Sequence, residues 1–236
     1  MPGPGRESFV PIAPQTQARG NRSTFAFFRL LMPSPAAASL KQYDRSYFNR
    51  WYRDPAERVA TRASLERKVR LALAVAEYVL GRRVRTVLDV GCGEGAWFPV
   101  LRRMRRDVEY TGVDSSEYVL ERYGAARHIR RGDFAGLAQL RLRRRFDLIV
   151  CADVLQYVPA ADATRGLSTI RSLLRGVAYI EAFATEDEME GDRDGWQERS
   201  GTAYRRMFRH ARLAPCGPYC FVDLDRHPEL NVFEHG

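Results

Sequence analysis

Thr86-Val87-Leu88-Asp89-Val90-Gly91-Cys92-Gly93-Glu94-Gly95 is the stretch on which the reading of this chain turns. A short apolar run rich in valine ends in an acid and then breaks into alternating glycines. Such a run reads as a buried strand. Glycines just past it let the backbone turn sharply and let a ligand approach the main chain. Ala96 to Arg105 then reads as a helix, with Pro99 confined to its first turn. A helix starting there points its unpaired N–H groups at the same ligand. Alone the loop is ambiguous, because Gly91 to Ala96 also satisfies the dinucleotide pattern GxGxxA.

Downstream, strands and helices alternate. Val108–Asp114, Ala126–Arg131, Phe146–Cys151 and Val177–Phe183 read as strands, while Ser116–Tyr123, Phe134–Leu140, Ala160–Leu174 and Gly201–Ala211 read as helices. Near-continuous apolar strands separated by helices imply a parallel sheet covered on both faces. Tyr219–Val222 and Leu230–Phe233 read as a terminal hairpin. Upstream, helical spacing runs from Gln42 to Leu80 with a break at Asp54-Pro55, where Asp54 is the expected N-cap of a second helix. Val59, Leu65, Val69, Ala72, Leu73, Ala76 and Val79 give that helix one apolar face, and Gly81 is its expected stop.

Three acids refine the ligand. Asp89, two residues before Gly91, would repel a nearby pyrophosphate and suits an amino-bearing ligand instead; its alternative is to brace the loop. Asp114 closes the second strand, where two carboxylate oxygens can accept both hydroxyls of a ribose. Asp133 after the third strand can accept from an adenine amino group, with Phe134 packing on the ring. Asp153 and Val154 leave the fourth strand.

With these residues in place, Val87–Gly95 resembles the first motif of class I (Rossmann-like) S-adenosylmethionine (SAM)-dependent methyltransferases. Tyr110–Ser116 resembles the second, and Gly132–Phe134 and Phe146–Val158 the adenine-contact and post-strand-four segments. The resemblance is strong over residues 84–183. It implies a seven-stranded, mostly parallel doubly wound α/β sheet with an antiparallel terminal hairpin strand, plus N-terminal helices. It implies SAM as cofactor and S-adenosyl-L-homocysteine as product. Gly91, Gly93, Gly95, Cys92 and Asp89 would serve the methionine part, Asp114 and Ser115 the ribose, Asp133 and Phe134 the adenine, and Asp153 and Val154 complete the pocket. The implied organisation is an extension over 1–40, a helical cap over 41–81 and the SAM-binding domain over 82–236.

The acceptor side is less written out. Methyl transfer needs an aligned acceptor more than a fixed catalytic group, so no catalytic residue is assigned. Nucleobase-amine and cytosine-type signatures do not fit: Ala152-Asp153-Val154-Leu155 replaces the Pro-Pro-aromatic stretch. Gln156 stands where small-molecule members often carry histidine. Gln156, Tyr157, Glu181, Tyr204 and Tyr52 are the acceptor-side candidates, each with a packing alternative, and His210 reads as a surface residue. Tyr43, Tyr47, Phe48, Trp51 and Tyr52 form a candidate wall. Thr185–Trp196, acidic within a basic protein, reads as a lid or as a solvated loop.

Composition sets the frame. At 236 residues the chain can bury a core without staples. No apolar run approaches the roughly 20 residues that span a bilayer; Leu71–Leu80 is interrupted by Glu77. Residues 1–40, punctuated by prolines, read as mostly disordered. Their apolar patch is too late and short for a secretory signal, while a transit peptide or a mis-assigned start remain open. The spacing of Cys92, Cys151, Cys216 and Cys220 suggests no metal site and fits free thiols in the cytoplasm. Cys216 and Cys220, four apart, are expected on one strand face. The net charge of +9 invites nucleic acid, but the arginines are dispersed and the only lysines are Lys41 and Lys68. A small-molecule O or N acceptor is therefore favoured. An RNA or protein methyltransferase, a non-catalytic SAM-binding partner protein and a dinucleotide oxidoreductase are its rivals.

Overall fold

A computed structural model describes residues 41–58, 60–188 and 191–230. The expectation for residues 1–40 lies outside these. The described elements are α1 (Arg45–Phe48) running into a π-helical turn (Asn49–Arg53), α2 (Arg62–Leu80), β1 (Thr86–Val90), α3 (Trp97–Met104), β2 (Glu109–Asp114), α4 (Glu117–Tyr123), β3 (Ile129–Arg131), β4 (Phe146–Ala152), α5 (Ala160–Leu173), β5 (Leu174–Glu181), α6 (Gly201–His210), β6 (Leu213–Gly217) and β7 (Cys220–Asp223). Short 3₁₀ turns cover Leu137–Leu140 and Leu155–Tyr157. The seven strands are ordered β3-β2-β1-β4-β5-β7-β6. β1 to β5 pair in parallel, and β7 alone runs against its neighbours β5 and β6. The strand order reverses between β1 and β4, and in open α/β sheets ligands bind at such a switch point, beyond the strands' C-terminal ends.

Two apolar layers hold the sheet. On one face Val69, Leu73 and Ala76 of α2 and Trp97 and Leu101 of α3 meet Leu148, Val150 and Tyr179. On the other, Ala163, Leu167 and Ile170 of α5 and Phe208 of α6 meet Leu88, Ile149 and Ala178. Each such aliphatic side chain, fully buried, contributes roughly 1.5–3 kcal/mol. β4 is pinned at its start by Asp147, 1% exposed, which accepts from Arg82, Arg175 and the Arg85 amide. Among the described residues no helix is long and apolar enough to cross a membrane.

Three expectations need correction. Asp54 does not cap a helix. Its carboxylate accepts from the Ala56 amide in a local turn, and residues 52–58 stay exposed with no apolar face to bury. The helix starts at Arg62, where Thr61 and Ser64 form a reciprocal capping box, side chain to backbone at 3.1 and 2.9 Å. Secondly, the hairpin is β6–β7, upstream of the expected one. Leu213 and Ala214 are buried and draw β6 into the sheet edge, while of the expected second strand only Leu230, packed against the core, is described. Cys216 and Cys220 therefore sit on opposite sides of that turn, not on one strand face. Thirdly, β5 begins directly after α5 and ends at Glu181, which leaves Phe183 in the following loop. The described residues from Lys41 onward form one compact unit, and α2 belongs to the layer over the sheet.

Candidate functional site

The glycine loop hangs from the end of β2. The amides of Gly91 and Cys92 both donate to the Val113 carbonyl, at 2.8 and 3.1 Å. Gly91 adopts φ +68°. A methyl group there would stand 2.3 Å from Val154 Cγ2, so only glycine lets the segment after β4 close on the loop. Asp89, 2% exposed, lies below the loop and accepts from Tyr110 Oη at 2.6 Å. Burial, reinforced by Asp114 and opposed by that hydrogen bond, raises its carboxyl to about 7. Asp89 also lines a 270 Å³ cavity, together with Gly91, Cys92, Gly93, Trp97 and Lys68. The bracing and ligand-facing readings of Asp89 are thus compatible. Burial also lifts the Cys92 thiol.

A second cavity of 200 Å³ continues across the switch point, lined by Gly91, Gly93, Asp114, Ser115, Asp133, Phe134, Asp153 and Val154. Asp114 Oδ2 accepts from the Gly93 amide at 2.7 Å and Oδ1 from the Ser116 amide at 2.9 Å. Each oxygen keeps a further lone pair for a ribose hydroxyl. Burial raises this carboxyl as well. Asp133 Oδ1 is spent on the Gly136 amide, 2.5 Å away, which leaves Oδ2 for an amino group. Phe134 is locked beneath the cavity against Gly166, whose missing Cβ would lie 2.1 Å from the ring. Carboxylates for hydroxyl and amino groups and glycines for close approach fit SAM, and the cations that line the first cavity, Arg53, Arg62 and Lys68, are paired with Glu94, Glu66 and Glu181.

A third chamber of 150 Å³ adjoins these two. Tyr47, Trp51, Tyr52, Tyr157 and Phe183 give it aromatic walls; Lys68, Asp153, Gln156, Glu188 and Asp192 give it polar ones. Tyr52 and Asp153 line all three cavities and so mark where they meet. Asp153 holds φ +60°, a left-handed conformation that costs a non-glycine residue about 1–2 kcal/mol. Burial raises its carboxyl to about 6, against the pull of Lys68. The aromatic wall is held in place by Ser116 Oγ, which donates to the Tyr43 carbonyl at 2.5 Å.

The acceptor-side candidates separate. Tyr52, Gln156 and Tyr157 line the chamber. Glu181 is bound by Lys68 at 2.6 Å and reaches the chamber through that lysine. Tyr204 packs with Phe208 in the core under α6, outside the lining of the three cavities, because its position on α6 faces the sheet. His210 is exposed at the end of α6. The acidic stretch is tethered: Lys41 Nζ pairs with Asp192 at 2.5 Å and donates to the Asp194 carbonyl at 2.7 Å. Sequence reading missed Lys68 and Phe183. The overlooked signal is that arginine serves elsewhere as the cation, and both lysines reach this site.

A family model for a methyltransferase domain matches residues 48–229. By sequence, no curated protein matches. The fold is similar to that of Streptomyces venezuelae DesVI, at TM-score 0.51 and 16% identity over 66% of this chain and 92% of that one. It is similar to magnesium protoporphyrin IX methyltransferase (ChlM) from Synechocystis with bound SAM, at TM-score 0.50 and 16% identity over 74% and 84%. The plantazolicin methyltransferase BamL gives TM-score 0.48 at 16% identity over 64% of this chain, which spans 63% of that protein's length.

Proposed function

The chain belongs to the methyltransferase domain family, and from that premise we propose that it is a SAM-dependent methyltransferase acting on an O or N atom of a small-molecule acceptor. SAM, when bound, supplies an electrophilic methyl group on a sulfonium. The chain's own residues do the rest. Asp114 and Asp133 orient the nucleoside end, Asp89 and the glycine loop the amino-acid end, and Asp153 and Tyr52 stand at the junction with the acceptor chamber.

The observation that carries the small-molecule reading is the chamber itself. Its 150 Å³ space is aromatic-walled, and its cations are already claimed: Lys68 by Glu181 and Lys41 by Asp192. A phosphodiester backbone would need free cations here. Several arginines outside also pair with carboxylates, among them Arg105 with Glu77, Arg171 and Arg226 with Asp223, and Arg103 with Glu66. Free thiols support a reducing, cytoplasmic setting.

The test is mass spectrometry of a metabolite extract incubated with the protein and methyl-labelled SAM. Label on small molecules is expected. Label confined to RNA or protein fractions refutes the acceptor class. Binding of SAM with no transfer to any fraction indicates a non-catalytic partner.

A further inference from the structure

Resting on the methyltransferase reading, we propose that the acceptor is a primary amine on a small apolar body, seated among Tyr47, Trp51, Tyr52 and Tyr157 with its nitrogen held by Asp153 and Gln156. Charge is the first argument. Among the described residues, four carboxylates at the chamber, Asp153, Glu181, Glu188 and Asp192, face two lysines, Lys41 and Lys68. A cation fits that field and an anionic acceptor is repelled.

Hydrogen-bonding capacity is the second. Gln156 is 1% exposed, and its Oε1 has no donor. The Asp153 side chain makes no hydrogen bond among the described residues, although its backbone amide is fixed on the Glu181 carbonyl at 3.1 Å. The Gln156 oxygen, buried without a donor, costs about 1–3 kcal/mol that a ligand donor recovers, and the half-buried Asp153 carboxylate lines the same chamber with its lone pairs open. Two acceptors in one small wall ask for two donors on one atom. An amine nitrogen offers them, whereas a hydroxyl has only one.

The third argument is that the wall already receives an ammonium. Lys41 Nζ stands 4.1 Å from the centre of the Tyr157 ring, 5.6 Å from that of Tyr47, and against Asp192. Tyrosine rings and a nearby carboxylate are the surroundings in which cation–π contact is favourable.

The step balances as follows. The bound ammonium gives one proton to the Asp153 carboxylate, and the freed nitrogen lone pair forms the new bond to the methyl carbon. The methyl–sulfur bond breaks with its electron pair remaining on sulfur. The product leaves as a secondary ammonium, and Asp153 returns its proton to solvent.

Calorimetry on the full chain saturated with S-adenosylhomocysteine tests this with matched trios: 2-phenylethylamine, 2-phenylethanol and phenylacetate, and their cyclohexylmethyl counterparts. In at least one trio the amine should bind about tenfold or more tighter than the alcohol, the scale of one charge-assisted hydrogen bond, with the carboxylate weakest. Asp153→Asn, which tolerates the left-handed backbone, and Gln156→Leu should each erase about tenfold of that preference. Amines no tighter than alcohols in every trio, with S-adenosylhomocysteine bound, overturn the inference alone. Failure of S-adenosylhomocysteine itself to bind overturns the methyltransferase reading with it.

Discussion

Replacing Asp89 by asparagine separates the demands of folding from those of binding. The carboxyl is buried against Tyr110 and raised to about 7, with Asp114 and Cys92 as its other titratable neighbours. A group whose folded pKa lies above its unfolded value of 3.8 favours folding fully below pH 3.8. That advantage is lost progressively until pH rises through 7. Relative to a neutral side chain, the ionised form therefore costs about 2 kcal/mol of stability at pH 5.5 and about 4 kcal/mol at pH 8.5. Asparagine is nearly isosteric and its Oδ1 can still accept from Tyr110. Urea denaturation of Asp89→Asn should show it more stable than the parent, by a margin that grows by about 2 kcal/mol between pH 5.5 and 8.5. The same change should weaken S-adenosylhomocysteine binding at pH 8.5 by about 1.5–3 kcal/mol, the worth of a hydrogen bond to a charged group. A margin that is flat or falls with pH refutes the placement of an ionisable, desolvated carboxyl under the loop.

Other perturbations follow from the same geometry. Asp114→Ala should reduce S-adenosylhomocysteine affinity by about 2–3 kcal/mol in calorimetry; unchanged affinity removes Asp114 from the site. Gly91→Ala should cost about 2–4 kcal/mol in denaturation, from the clash with Val154 and the positive φ together, and a neutral result contradicts the close approach. At Asp147 burial works to raise the carboxyl, but Arg82, the Arg85 amide and Arg175 bring it down to about 2. Its contribution is present above pH 3.8 and lost as pH falls through 2, so Asp147→Asn should cost about 2 kcal/mol at neutral pH and little at pH 2. Lys41→Ala should speed amide exchange at Trp196 and Gln197 by releasing Asp192 and Asp194; unchanged exchange means the tether does not hold the loop.

The strand ends that bring the candidate cofactor residues together were legible because local chemistry dictated them. Asp89 and Asp114 lie at the ends of β1 and β2, Asp133 and Asp153 just after β3 and β4, all strands that the apolar runs make evident, and parallel pairing alone brings the four strand ends to one edge. What spacing could not supply is tertiary. The true start of α2 was hidden because Asp54-Pro55 and Thr61-Ser64 are both valid starts, and only burial chooses between them. The hairpin was displaced because Leu213 and Ala214, polar-flanked in sequence, are drawn into the sheet edge. Tyr204 and Gln156 look alike as polar residues near the site, yet one faces the core and the other the chamber. Lys68 reaches the site from a helix that periodicity assigns to packing alone.

The central claim is that the glycine loop, Asp89 and Asp114 at the ends of β1 and β2, and Asp133 after β3 form one SAM site. Titration of S-adenosylhomocysteine into the full chain, alongside Asp114→Ala, tests it most directly. Saturable one-to-one binding that the substitution weakens by about 2–3 kcal/mol is predicted. Absence of binding at millimolar ligand, or binding indifferent to Asp114, would contradict it.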